Sequence, residues 1–269
     1  MYKSIVLESK RNTNINASVF ETAGKSPLLI FAHSFKSDMF EDGRFLEVGE
    51  FLQQNNICSI TLDFPGNGSS LEGFEYYSLD NCLDDMEVCY QYMLENYDID
   101  KSSLSLLGYS MGGRLISLFY DRHPEFNNLV FWAACNNPYT INDRFLEQDL
   151  LILKKQADEQ GACDFYDIFS KETGKMSGQF INNLIEYDAL SCLSSFKGNA
   201  LIIQGDNDTT IAYDNCTNIY QNLCSTNNKK LIIIKGADHG FGLWDNRKQD
   251  NDRLLTETEQ FMLENMKSE

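Results

Sequence analysis

One stretch limits the folds open to this chain more than any other: Gly108-Tyr109-Ser110-Met111-Gly112-Gly113. It follows the apolar run Leu104-Ser105-Leu106-Leu107 and precedes a helical pattern with Leu115, Leu118 and Phe119 on one side. A strand–turn–helix passage of this kind forces the serine backbone into a strained conformation, in which side chains two residues before and after would collide. Glycine at 108 and 112 removes the collision. The Ser110 hydroxyl is then held clear of the sheet at a helix N-terminus, where developing negative charge is stabilised. A bare Gly-x-Ser-x-Gly arises by chance fairly often; in this context it points to a nucleophile.

A serine hydroxyl is a poor nucleophile at neutral pH and needs a base within hydrogen-bond reach. Three histidines are available. His123 lies about three helical turns beyond Ser110 and points away from it. His33 ends the first long apolar run, ahead of the nucleophile, and is expected to brace its loop. His239 sits in Lys235-Gly236-Ala237-Asp238-His239-Gly240, a glycine-flanked loop after the last apolar run. Elimination and position both select His239. A base held in one tautomer needs a carboxylate on its far nitrogen, and the segment Gly205-Asp206-Asn207-Asp208 offers two. Asp208 has turned away from the strand axis and is the favoured orienting acid. Asp206, expected to fix the turn through its own backbone, is the alternative. Asp238 is too close along the chain to bond its neighbour's ring.

Acyl transfer also needs backbone donors for an oxyanion. The amide of Met111, directly after the nucleophile, is one candidate. The amide of Phe35, in His33-Ser34-Phe35-Lys36-Ser37-Asp38, is the other. The glycine-rich turn Asp63-Phe64-Pro65-Gly66-Asn67-Gly68-Ser69-Ser70 lacks the lysine and spacing of a phosphate loop and is expected to be structural.

Short apolar runs alternate with amphipathic stretches, which predicts an α/β architecture with a mostly parallel sheet. Buried strands are expected over Leu28–His33, Ile57–Asp63, Ser103–Tyr109, Asn128–Ala134, Ala200–Gly205 and Leu231–Lys235, each nearly continuous in apolar residues. Lys3–Leu7 and Asn16–Glu21 flank a polar turn and predict an antiparallel hairpin at the sheet edge. Leu79, Leu83, Met86, Tyr90, Met93 and Tyr97 recur at helical spacing, as do Leu254, Thr258, Phe261 and Met262 near the end. From Asn136 to Asp188 the rhythm breaks. That stretch has no strong buried strand, a helical segment near Phe145–Ala157, and aromatics at Tyr139, Phe165, Tyr166, Phe169 and Phe180. It is too long for an ordinary connection. The expected organisation is a core formed by residues 1–135 and 189–269, with 136–188 inserted as a cap; two extra surface helices are the plainer alternative.

Lys and Arg number 22 and Asp and Glu 40, for a formal charge of -18. No basic stripe is available to replace phosphate counterions, so nucleic acid is not an expected partner. The first residues lack the apolar run of a signal peptide, and no stretch is long enough to span a membrane. The eight cysteines include no Cys-x-x-Cys pair or metal-ligand spacing. Reduced, buried thiols in a cytoplasmic protein are expected, with a secreted form lacking its leader as the alternative. Cys82 and Cys89 share a helical face and should pack inside.

At five motifs the chain resembles the α/β-hydrolase superfamily, most closely the bacterial cinnamoyl and feruloyl esterases and their serine aminopeptidase-like and monoglyceride-lipase-like relatives. The motifs are His33-Ser34-Phe35, the turn from Asp63 to Ser70, the turn from Gly108 to Gly113, the loop from Gly205 to Ile211, and Gly236-Ala237-Asp238-His239. The resemblance implies a catalytic triad of Ser110, Asp208 and His239, oxyanion amides on Phe35 and Met111, and a cap like that at 136–188. Ser34 stands where the family carries glycine, and the cap is the least similar segment. The implied activity is a serine carboxylesterase acting on short or medium acyl or aryl-acyl esters, hydroxycinnamoyl esters among them. It needs neither metal nor organic cofactor, takes a small-molecule ester as its substrate, and is compatible with a homodimer. The rival readings are an aminopeptidase-like peptidase, using Asp143, Glu147 or Asp149 to hold a substrate amine, and a catalytically silent scaffold of the same fold.

Overall fold

The computed structural model describes residues 1–140, 150–167, 171–243 and 246–266. Its strands are β1 (Lys3–Glu8), β2 (Asn14–Phe20), β3 (Ser26–Ala32), β4 (Cys58–Leu62), β5 (Ile99–Tyr109), β6 (Asn128–Trp132), β7 (Ala162–Asp167), β8 (Glu172–Ser177), β9 (Asn199–Gly205) and β10 (Lys229–Ile234). Eight of them form one sheet in the order β1-β2-β4-β3-β5-β6-β9-β10, while β7 and β8 pair separately as an antiparallel ribbon. The β1–β2 and β2–β4 pairs are antiparallel, and every pair from β4 to β10 is parallel.

Alternation along the central strands explains why helices lie on both faces. In β3, Leu28, Ile30 and Ala32 enter one core, and Leu29 and Phe31 enter the other. A slip of one residue would exchange the two sets, so the apolar pattern fixes register. Against the first face pack α2 (Leu79–Asn96), α3 (Met111–Arg122) and α6 (Asp214–Asn222). Against the second pack α1 (Arg44–Gln54) and α7 (Lys248–Asn265). The expected inward set Leu254, Thr258, Phe261 and Met262 is buried on α7, and Thr258 accepts a hydrogen bond from the Trp132 indole at 2.9 Å.

Some boundaries differ from expectation for local reasons. β5 begins at Ile99 rather than at Ser103, because Ile99 already pairs with Ser26. β6 stops at Trp132, where Ala133 turns with φ 39°. Between β6 and β9 lie α4 (Leu150–Gln160), the β7–β8 ribbon and α5 (Gly178–Glu186). The ribbon was not expected from the sequence. Leu153, Cys163, Met176, Phe180 and Leu184 of this segment are buried and continuous with the first core. Asp143, Phe145, Glu147, Asp149 and Phe169 lie outside the described residues. Among the described residues, no helix is long and apolar enough to cross a membrane. All eight cysteines are free thiols, and Cys82 and Cys89 are fully buried on α2.

Candidate active site

The turn at Ser110 has φ 53° and ψ -114°, outside the regions an L-residue ordinarily adopts. The packing around it accounts for the flanking glycines. A Cβ at Gly108 would lie 2.3 Å from the Gly112 carbonyl oxygen, and one at Gly112 would lie 1.9 Å from the Ala32 carbonyl oxygen. The second contact also shows that the Ser110 turn sits directly against the end of β3, where the Phe35 loop begins. Ser110 donates its N–H to the Trp132 carbonyl at 2.8 Å, which fixes the turn to β6. Met111 follows as the first residue of α3, so its amide stands at a helix N-terminus.

Three distant stretches meet beside this turn. The Ser110 hydroxyl lies 3.0 Å from His239 Nε2, and His239 Nδ1 lies 2.7 Å from Asp208 Oδ2. The side chains of His239 and Asp208 are 7% and 1% exposed, so water competes little for these bonds. Asp208 is held by more than the ring. Its Oδ1 accepts the N–H groups of Thr210 and Ile211, both at 2.8 Å, and its Oδ2 accepts Gln204 Nε2 at 2.8 Å. An ionised carboxylate is acceptor-only, so His239 must present its proton on Nδ1 and its lone pair on Nε2, toward Ser110.

The neighbouring acids do different work. Asp206 accepts the N–H of Gly236, tying the acid loop to the histidine loop rather than bonding its own turn as expected. Self-bonding within the turn falls to Asp208 instead. Asp238 accepts the Gly242 N–H at 3.0 Å. His33 is fully buried; its Nδ1–H donates to the Ser34 carbonyl at 2.7 Å, and its Nε2 accepts the Phe64 N–H at 3.1 Å. Burial pulls its pKa down, in keeping with the neutral tautomer those two bonds require. His123 pairs with Glu87 and Glu125, well away from Ser110 along α3. In the glycine-rich turn, Asp63 accepts from Met39 N–H, Ser69 N–H and the Ser69 hydroxyl, and a Cβ at Gly68 would strike that carboxylate. Its role is structural.

Four neighbours were not singled out from sequence. Tyr109 stacks on the His239 ring with centroids 5.3 Å apart and donates its hydroxyl to the His239 carbonyl at 2.6 Å. Gln204 fixes the acid. Glu41 and Arg44, both buried, lie between the Phe35 loop and the histidine loop. A tyrosine beside Ser110 and a glutamine ending an apolar strand are weak signals; Arg44 has none, because Tyr109 and Gly240 are distant in sequence, and Glu41 has none, because its bonds to Ser34 and Ser37 exist only once the loop has folded back. Beside this site the Phe35 ring packs on Phe180 of α5 at 5.5 Å and meets Phe74 and Tyr77 edge-on. Among the described residues, no group of three or more His, Cys, Asp or Glu side chains could hold a metal ion.

This arrangement can pass a proton from a hydroxyl to an imidazole that a buried carboxylate orients. Comparison with known proteins agrees with a hydrolase. The chain is 27% identical over 139 residues to monoacylglycerol lipase abhd6-B of Xenopus laevis, covering 51% of this chain and 39% of the lipase. It therefore spans less than half the length of that curated relative. Solved structures of the same fold include ferulic acid-bound Est1E from Butyrivibrio proteoclasticus, at 20% identity and TM-score 0.77, covering 97% of this chain and 98% of that one. Mouse alpha/beta hydrolase domain-containing protein 10 matches at 17% identity and TM-score 0.74, covering 97% and 99%. The fold is thus that of the α/β hydrolases. The model of the prolyl oligopeptidase family matches residues 60–269, a span that takes in Ser110, Asp208 and His239. With well over half its length matched, the chain belongs to the prolyl oligopeptidase family.

Proposed function

We propose that the chain is a serine carboxylesterase acting on short or medium acyl or aryl-acyl esters through an acyl-enzyme on Ser110. The observation that carries this is the unbroken file from Ser110 through His239 to Asp208, at 3.0 and 2.7 Å. Ser110 attacks the ester carbonyl as its proton passes to His239 Nε2, while the Phe35 and Met111 amides hold the oxyanion. His239 then protonates the leaving alcohol. Water, deprotonated by His239, attacks the acyl-enzyme and releases the acid.

In this reading residues 136–188 form a cap over a core of 1–135 and 189–269. The acyl group would lie beside Phe35, Phe74, Tyr77 and Phe180, an apolar aromatic group suited to an alkyl or aryl acid. The lipase relatives and the ferulic acid bound by Est1E favour an ester and allow a hydroxycinnamoyl one. The family match favours a second reading, cleavage of short peptides.

A panel of p-nitrophenyl esters of rising acyl length and hydroxycinnamate esters, run beside aminoacyl-naphthylamides, separates the two. Ester turnover with naphthylamides inert is expected, and the reverse would select the peptidase. Ser110→Ala and His239→Ala should each lower kcat by at least ~10³-fold with the fold intact. A fluorophosphonate probe should label the wild type and not Ser110→Ala. Retained turnover in either variant sinks the assignment.

A further inference from the structure

The segment between β3 and α1 is costly in conformation: Lys36, Glu41 and Asp42 all have positive φ, at 57°, 50° and 55°. Something must hold it, and a buried pair does. Glu41 Oε2 accepts the Ser34 N–H at 2.6 Å, and its Oε1 accepts the hydroxyls of Ser34 at 2.8 Å and Ser37 at 3.0 Å. Arg44 NH2 lies 3.7 Å from the same Oε1, and both residues are nearly fully buried. Arg44 then reaches the other side of the site. Its NH1 donates to the Gly240 carbonyl at 3.4 Å, and its guanidinium carbon lies 4.6 Å from the centre of the Tyr109 ring, the ring that stacks on His239.

We infer that Glu41, through its buried pair with Arg44, is a positioning residue that sets the oxyanion loop against the histidine loop. This rests on the reading of Ser110, His239 and the Phe35 amide given under Proposed function. Ser34 immediately precedes Phe35: the Glu41 carboxylate grips its N–H and hydroxyl, and His33 Nδ1–H holds its carbonyl, the oxygen of the peptide plane that carries the Phe35 amide, so Glu41 anchors the near side of that plane. The Ser34 hydroxyl supplies one of those donors. Oxyanion donors act only if they already point at the position the oxygen will occupy. A loosened loop should therefore cost transition-state binding far more than substrate binding.

The test is Glu41→Gln in the full chain, assayed with p-nitrophenyl butyrate and with a trifluoromethyl ketone that mimics the tetrahedral adduct. Glutamine turns one acceptor into a donor facing Ser34. Removing an oxyanion donor outright costs ~10²–10³-fold, so displacing one should lower kcat about 10- to 100-fold with KM within about twofold. The ketone should bind more weakly by the factor that kcat/KM falls. A folded Glu41→Gln with kcat within about twofold of wild type, or a loss confined to KM, overturns the proposal. If that variant lacks a cooperative melt, Ser34→Ala carries the test. Lower kcat at unchanged KM supports the role, and a wild-type kcat overturns it. Ser110→Ala run in parallel separates the two readings. If it is dead while Glu41→Gln is fully active, only the positioning role fails; if it turns over, the triad fails first.

Discussion

Replacing Asp208 by asparagine should nearly abolish turnover while leaving the fold almost untouched, and the structure says why. Oδ1 accepts two backbone N–H groups, from Thr210 and Ile211, so the asparagine carbonyl must take that position. Its NH2 then replaces Oδ2, facing His239 Nδ1 and Gln204 Nε2. Gln204 can turn its amide over to accept from it, because Gln204 Oε1 has no hydrogen-bond partner among the described residues. The stability cost is therefore small, of the order of one exchanged hydrogen bond, about 1 kcal/mol. His239 has no such remedy. A donor opposite Nδ1 drives the imidazole proton to Nε2, and the lone pair that should receive the Ser110 proton is lost. The corresponding change in another serine hydrolase lowers kcat about 10⁴-fold, equivalent to roughly 5 kcal/mol of barrier. The assay is kcat for p-nitrophenyl butyrate near neutral pH, beside thermal melts and an Asp206→Asn control. Asp206 bonds the Gly236 N–H, which asparagine can still accept, so kcat there should stay within about threefold of wild type. If Asp208→Asn kept more than about a tenth of wild-type kcat, or Asp206→Asn fell further, the tautomer argument would be refuted.

Arg114 is fully buried and, among the described residues, pairs with no carboxylate; it donates to the carbonyls of Asn136, Leu184 and Tyr187, at the two ends of the segment between β6 and β9. Arg114→Met strands those carbonyls and should destabilise by about 2–4 kcal/mol; hydrogen exchange should rise first in α5, and uniform protection across the chain would contradict it. Burial pushes the Asp85 carboxyl up to about 6 from 3.8, with its bond to Arg11 opposing in part. Between those values the folded chain binds more protons than the unfolded one, so this group's contribution to stability falls as pH rises through about 6. Urea unfolding should show Asp85→Asn gaining up to about 3 kcal/mol on wild type between about pH 4 and pH 7; parallel curves for the two proteins would contradict it.

The parts of the fold legible in sequence are those whose cause is local. Five buried strands and the half-buried edge strand β10 announce themselves by their apolar runs, since residues such as Leu28 to Ala32 face helices on both sides, and Gly108 and Gly112 are readable because one turn requires them. The β7–β8 ribbon was not legible. Its two segments, ACDFYD and ETGKMS, mix polar and apolar residues with no clean alternation, and what holds them in place is the neighbouring core. Arg44 and Arg114 were missed for a related reason; Arg44 bonds the carbonyl of Gly240, 196 residues away. Arg114 bonds carbonyls 22, 70 and 73 residues away, and no periodicity in a sequence encodes such a meeting. Asp206 shows the same limit: its residue type suggested turn-making, but its partner is Gly236, which only the adjacency of β9 and β10 brings near.

Under the proposed function, the division between rate and selectivity would follow from which contacts hold each part. Ser110, Asp208 and His239 stand on loops that leave β5, β9 and β10, strands in one parallel array with β6 between the first two. Neighbouring strands lie about 4.8 Å apart, so the loops carrying Asp208 and His239 must both lean across the end of β6 to reach Ser110. Ala133 and Ala134, small residues just past β6, leave room for that, and a Cβ at Gly113 would already sit 2.2 Å from that of Ala134. The segment that in the proposed reading would shape the acyl pocket begins immediately afterwards, with Arg114 of α3 gripping both of its ends. Asp80 of α2 adds a second anchor, accepting from Gln179, Asn183 and Tyr187. In the proposed reading, residues that change what the pocket admits lie along this segment, while those at its neck are bonded to α3, the helix that begins just after Ser110. Phe180 marks the boundary: it belongs to that segment, yet its ring packs on Phe35, so under the proposed function a change there should reach the Phe35 loop as well as the acyl group.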